Sequence, residues 1–245
     1  MKKKIIIILS TIIGLFLIIG IIFFTYTGIY YHADSTAYDY LKSSGEVEVT
    51  ENNKYISFVN TNSNNENAII FYEGAKVEAK AYARILYTLA LNDISCYAIK
   101  SPFRFAFFGS NEYKKIINST SYQSYYLMGH SLGGVVAGGK LEDSNVSGVI
   151  LLASYLNNDL SDTDKKALSI YGSNDKVLNL EKYNKAKKLL PKNSLEYVIE
   201  GGIHSYFADY GAQAHDGVAS IEKTKMQDLV CKYIIDFIDG FNKMP

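Results

Sequence analysis

The chain has 245 residues, with 25 basic and 25 acidic side chains and no formal net charge at pH 7. No global field of either sign gathers nucleic acid or acidic substrates, and with Arg84 and Arg104 the only arginines, bidentate phosphate clamps are scarce; a nucleic acid partner is not expected. Twenty-one Tyr and 12 Phe, against no Trp, supply enough apolar bulk for one domain with a real core.

The chain begins with Met1-Lys2-Lys3-Lys4 and runs on through Ile5 to Phe24, an apolar stretch broken only by Ser10, Thr11, Gly14 and Gly20. Its length as a helix, at about 1.5 Å per residue, matches the roughly 30 Å hydrocarbon layer of a bilayer. A cleavable signal sequence has a shorter apolar region ending in small residues. Here the run leads into Phe23, Phe24, Tyr26, Tyr30 and Tyr31, the kind of aromatic belt that sits at a membrane interface. The expectation is an uncleaved signal anchor over 1–26, with the lysines on the cytoplasmic side and the rest of the chain outside; cleavage near Ala33 or Ala37 is the alternative. Residues 27–45 read as a short polar stalk with a small helix over 36–41, and 46–245 as one domain.

Within the domain, 46–50 and 55–59 alternate with period two around Glu51-Asn52-Asn53-Lys54, a hairpin signal. A polar loop over 61–67 leads to Ala68-Ile69-Ile70-Phe71-Tyr72, a continuous apolar run suited to a strand covered on both faces. The spacing of Tyr82, Ile85, Leu86 and Leu89 predicts a helix over 78–91. Then follow a strand at 95–99, a helix at 111–118, a strand at 125–128, buried strands at 148–153 and 167–171, a helix at 181–190, a strand at 195–199 and a final helix over 220–241. A leading hairpin followed by alternating helices and buried strands predicts a three-layer α/β fold on a mostly parallel sheet. Ligands in such sheets bind beyond the carboxyl ends of the strands. Cys96 and Cys231 lack metal spacing and fall on a strand and a helix face, so two free, buried thiols are expected.

The centre of the pattern is Gly129-His130-Ser131-Leu132-Gly133, set between a strand and the small-residue run up to Gly139. Gly-x-Ser-x-Gly in that setting is a nucleophile elbow, in which serine sits on a sharp, strained turn and its flanks lack Cβ so that strand and helix can approach. Two more strand-end loops carry chemistry: Gly172-Ser173-Asn174-Asp175 and Gly201-Gly202-Ile203-His204. Serine, aspartate and histidine thus occur in the order Ser131, Asp175, His204 at one end of one sheet. A serine hydroxyl needs a base at neutral pH; His204 can take its proton while Asp175 holds the other ring nitrogen. The oxyanion needs fixed donors, and the backbone N–H of Leu132 is one. The second is expected from Ala75, or its neighbours Gly74 and Lys76, in the turn after the third strand.

These three motifs carry a resemblance. Over roughly 46–242 the chain resembles α/β-hydrolase-fold enzymes, and is most similar to small membrane-anchored bacterial members of the dienelactone-hydrolase-like group, which implies no inserted lid domain. Phe71 to Val77, Pro102 to Phe108 and Tyr210 to Gln213 are also similar to that group. Three positions depart from it. Glu73-Gly74 stands where His-Gly is common, Ile203 precedes His204 where relatives often carry Asn, and Ser131 replaces the cysteine nucleophile of dienelactone hydrolases, so that reaction is not implied.

Competing readings attach to several residues. A phosphate-binding turn at Ser131 would call for G-K-[ST] or G-x-G-x-x-G, and neither occurs there. His215, followed by Asp216, competes with His204; His130 reads as packing beneath the elbow. Asp159, Asp162 and Asp164 lack the rest of a calcium loop. The aromatic stretch Phe103 to Phe108 with Arg104 either lines an acyl pocket, covers the sheet edge or leans on a membrane. The expected function is a surface-anchored serine hydrolase, a carboxylesterase acting on a small acyl ester through an acyl-enzyme without metal or organic cofactor. The alternatives are a non-catalytic binding module on the same fold, or an acyltransferase or amidase using the same residues.

Overall fold

A computed structural model describes residues 2–62, 64 and 66–242. Met1 of the basic N-terminus and Ser63 and Asn65 of the expected polar loop lie outside the described residues. The chain falls into two compact units, residues 1–30 and 31–245.

The first unit is helix α1 (Lys2–Gly28), whose stretch Lys3–Gly28 has a mean hydropathy of 3.2 and is long and apolar enough to cross a membrane. Ser10 and Thr11 return their hydroxyls to the carbonyls of Ile6 and Ile7, so neither leaves an unpaired donor along the helix.

The second unit is built on an eight-stranded sheet ordered β1-β2-β4-β3-β5-β6-β7-β8. Its strands are β1 (Val47–Glu51), β2 (Tyr55–Asn60), β3 (Asn67–Tyr72), β4 (Ile94–Ile99), β5 (Ser124–His130), β6 (Gly148–Leu152), β7 (Lys166–Gly172) and β8 (Asn193–Ile199). β1 pairs antiparallel with β2 and β2 with β4; every other neighbouring pair is parallel. The apolar runs fall where both faces are covered: β3, β4 and β6 are buried along their whole length. Period two splits them between two layers. Ile69 and Phe71 join Leu86, Leu89, Ile234 and Phe237 from helices α3 (Ala83–Leu91) and α7 (Lys223–Asn242). Ile70 and Tyr72 join Tyr113, Ile116 and Ala137 from α4 (Glu112–Ser119) and α5 (Leu132–Gly138) on the other face. Each fully buried Ile, Leu or Phe among them contributes about 1.5–3 kcal/mol. Cys96 and Cys231 are both free and buried.

Two stretches differ from expectation. The helix anticipated over 78–91 starts as a 3₁₀ turn, Ala79–Tyr82, before α3 begins. The segment read as a stalk up to residue 45 is part of the domain from Tyr31 onward. Tyr31 pairs in parallel with Val77, its N–H donating to the Lys76 carbonyl at 2.7 Å. Asp34 caps helix α2 (Ser35–Asp39) by accepting from the Thr36 and Ala37 N–H groups, and Ala37 is fully buried. Its polar residues include the cap Asp34, while Ser35, Thr36, Asp39 and Lys42 face solvent around the buried Ala37.

Candidate active site

The sequence Met128-Gly129-His130-Ser131 runs straight off the buried β5 into α5, leaving one residue to reverse direction. Ser131 takes φ 51° and ψ −121°, a conformation costing about 1–3 kcal/mol that the surroundings must impose. They do so from both sides. The Ser131 N–H donates to the Leu152 carbonyl at 2.9 Å, and Ser154 Oγ donates to the Ser131 carbonyl at 2.7 Å. The glycines are required by close approach: a Cβ at Gly129 would lie 2.2 Å from the Gly133 carbonyl carbon, and one at Gly133 would lie 2.2 Å from the Tyr72 carbonyl oxygen. The elbow is thus wedged against the end of β3.

Asp175 and His204 come from the loops after β7 and β8, which are laced together. The Asn174 N–H donates to the Gly202 carbonyl at 2.9 Å, and the Gly201 N–H to Ser173 Oγ at 2.8 Å. Asp175 Oδ1 accepts from the N–H groups of Val177 and Leu178, both at 2.8 Å, which aims Oδ2 at His204 Nδ1, also 2.8 Å away. Both residues are only 2% exposed. In the neutral imidazole that bond places the ring proton on Nδ1 and leaves Nε2 as the acceptor. Ser131, Leu132 and His204 line one cleft of about 230 Å³, with Val135, Tyr155 and Leu178 as apolar wall.

Ala75 is not among the residues lining that cleft. The bonds around it nevertheless discriminate among the three expected donors. The Gly74 N–H donates to Tyr82 Oη at 3.0 Å and the Lys76 N–H to the Arg104 carbonyl at 2.8 Å, whereas the Ala75 N–H makes no hydrogen bond within the described residues. The Leu132 N–H, at the start of α5, has no acceptor in its own helix.

His130 lies under the site, 1% exposed, its ring 4.4 Å from that of His204 and 5.4 Å from that of Phe207. Tyr82 Oη, which accepts from the Gly74 N–H, lies 2.9 Å from His130 Nδ1; assigning the hydroxyl proton to that bond places the His130 proton on Nε2. That Nε2 reaches no partner in hydrogen-bonding geometry, although the His204 carbonyl lies near it. Burial, and secondarily the neighbouring His204 imidazole, hold His130 well below the usual histidine range and keep it neutral.

Asp216, noted in sequence only as the neighbour of His215, grips the histidine loop. Its Oδ1 accepts from the N–H groups of His204 (3.1 Å) and Gly217 (2.8 Å), and its Oδ2 from that of Ser205 (2.7 Å). His215 itself is exposed at φ 64° and does not line the cleft. An acidic residue a dozen positions beyond the histidine, in a glycine-bearing loop, was the available signal for Asp216; none marked Tyr82, which reads as an ordinary helix-face aromatic. Asp159 accepts from the Ser161 N–H and hydroxyl, a local turn. Among the described residues no cluster of His, Cys, Asp and Glu is arranged to hold a metal ion.

Several solved structures share this architecture. A predicted CIB-like hydrolase from Thermoplasma acidophilum aligns with a TM-score of 0.57 at 14% identity, covering 78% of this chain and 97% of its own. Est1E from Butyrivibrio proteoclasticus aligns with a TM-score of 0.52 at 14% identity over 80% of this chain and 100% of its own. A monoacylglycerol lipase from Paleococcus ferrophilus gives 0.58 at 11% over 78% and 99%. At these identities the likeness is one of fold. No match to this chain is found among curated proteins. Residues 68–228, well over half of the sequence, match the family described as the Alpha/beta hydrolase family, and the chain belongs to it.

Proposed function

We propose that this hydrolase is a serine carboxylesterase working through an acyl-enzyme. The observation that carries the reading is the buried 2.8 Å bond between Asp175 and His204, with His204 and a strained Ser131 lining the same cleft. Ser131 Oγ attacks the ester carbonyl carbon as its proton passes to His204 Nε2, and the carbonyl π electrons move onto oxygen. The N–H groups of Leu132 and Ala75 receive that oxyanion. Collapse expels the alcohol, which takes the proton from His204. Water, deprotonated in turn by His204, attacks the acyl carbonyl and releases the carboxylic acid, restoring Ser131. Asp175 holds His204 Nδ1 and stabilises the imidazolium while it exists. The substrate is a small-molecule acyl ester and no cofactor takes part.

The apolar N-terminal helix supports a second element of the proposal, a single-pass anchor that holds the domain on the outer side of the cell membrane with Lys3 and Lys4 inside. The test is a fluorophosphonate probe applied to the full-length chain in detergent micelles. One label per chain is expected, lost in Ser131→Ala while thermal unfolding is unchanged. Labelling that persists in Ser131→Ala rejects the assignment.

A further inference from the structure

Three features converge at one rim of the domain. The first is where the anchor joins it. Helix α1 ends at Gly28 and Tyr31 is already paired with Val77, so the link is three residue steps, about 11 Å at full extension. Tyr31 donates to the Lys76 carbonyl at 2.7 Å and accepts from the Glu78 N–H at 3.0 Å, next to Ala75 in the turn after β3. The chain therefore joins the domain at the carboxyl end of the sheet, the end that carries Ser131, and not at the opposite end.

The second is the aromatic loop. Lys76 donates its N–H to the Arg104 carbonyl at 2.8 Å, which ties Phe103 to Phe108 to the same turn. Ala106 plugs this loop into the core, yet Phe107 and Phe108 are 50% and 48% exposed and Phe103 is 37% exposed. Their rings pack on one another, Phe107 on Phe108 at 4.4 Å and Phe103 on Phe108 at 5.7 Å. The backbone beneath is fixed in an unusual form, with Lys76, Phe103 and Arg104 at φ 60°, 57° and 57°. A rigid loop that presents several phenylalanines outward is an apolar patch without a function in the ester chemistry above.

The third is charge. Arg104 and Lys76 border the phenyl rings; the hollow of about 270 Å³ beside Phe103 is also lined by Glu73 and Glu78 and by Lys80 and Lys100, both ion-paired with Glu51. Phenyl rings bordered by lysine and arginine match the boundary between acyl chains and anionic headgroups, where each cation adds about 1 kcal/mol.

We propose that this rim rests on the lipid surface, Phe107 and Phe108 entering the interface, and that the ester cleaved at Ser131 belongs to a membrane amphiphile drawn from that surface. The assignment rests on the serine hydrolase and anchor readings above. It names the bilayer and not a protein as the occupant because the chain enters the domain at Tyr31, on this rim, three residues after the apolar helix ends at Gly28.

The experiment uses the full-length chain in vesicles of phosphatidylcholine and phosphatidylglycerol. An environment-sensitive fluorophore is placed on Phe107→Cys, and separately on Val198→Cys in the exposed edge strand β8; Cys96 and Cys231 are buried and do not compete. A quencher carried on the lipid acyl chains should quench position 107 and spare position 198. The double variant Phe107→Ser/Phe108→Ser should lose about tenfold or more in hydrolysis of a long-chain ester embedded in the vesicles. It should keep its rate on a water-soluble short-chain ester and its fluorophosphonate labelling. Equal quenching at the two positions, or none at 107, overturns the docking. Equal loss on both esters overturns it in favour of Phe107 and Phe108 as a wall of the acyl pocket. A mature chain found by mass to lack α1 overturns it by removing the tether. A wild-type chain that takes no label sinks the hydrolase reading and the substrate class, while the quenching arm separately decides the docking.

Discussion

Glu73 stands at the end of β3, one residue before the turn that carries Ala75, and its carboxyl group is only 1% exposed. Oε1 accepts from the Ser101 N–H at 2.8 Å, and Oε2 has no partner among the described residues. Burial is the main cause that pushes this carboxyl up from 4.5 to about 7; its own N–H, that of Ser101 and the charge of Arg104 offset only part of it. The folded chain therefore holds a proton that the unfolded chain has released over that window. Its contribution to stability is full below pH 4.5 and is lost as the pH rises through about 7. At 1.36 kcal/mol per unit the loss comes to about 3 kcal/mol. Glu73→Gln keeps an oxygen for Ser101 and cannot ionise, so the penalty disappears. With 21 Tyr and no Trp, melting of the full-length chain in micelles can be followed by tyrosine fluorescence. The variant should melt with the wild type near pH 4.5 and about 6–12 °C above it at pH 8. A gap that stays constant with pH, or a wild type that is the more stable at pH 8, would refute the reasoning, because Glu73 would then be ionised throughout.

Two further outcomes follow from the geometry of the site. Asp216→Asn sets an amide NH₂ against one of the three N–H groups the carboxylate now accepts. Misplacement of His204 should slow fluorophosphonate labelling about 10–100-fold with little change in melting, and an unchanged rate would remove Asp216 from any role in holding the histidine. Gly133→Ala drives a Cβ to 2.2 Å from the backbone oxygen of Tyr72. It should destabilise the domain by about 3 kcal/mol, and a melt equal to the wild type would show that the elbow yields more than the close approach implies.

The sheet was legible in sequence because its physics is local. A run such as Ala68 to Tyr72 with no polar break can be a strand only if both faces are covered, and the alternation of Ile69 and Phe71 with Ile70 and Tyr72 assigns them to opposite layers. The strand-end loops carrying Ser131, Asp175 and His204 follow from the same periodicity, which is why these residues were candidates before any coordinates. What stayed hidden depends on contacts between distant segments. Asp34 reads as one more polar residue of a stalk until Ala37 is seen buried beneath it. Nothing local tells that Asp216 reaches back to His204, or that Tyr82 turns its hydroxyl toward His130. The turn expected to hold the second oxyanion donor sits between these cases. Its position followed from the strand order, but Ala75 could be separated from Gly74 and Lys76 only by the bonds its neighbours make.

The hydroxyl of Tyr82 joins parts of the chain that have no covalent reason to act together. It receives the amide hydrogen of Gly74, in the turn after β3, and shares a second hydrogen bond with the histidine inside the elbow. Removal of that hydroxyl would strip both partners of a bond at once in a buried place. The turn that carries Ala75 and the elbow that carries Leu132, the two proposed oxyanion donors, are therefore pinned to one side chain that does not line the cleft.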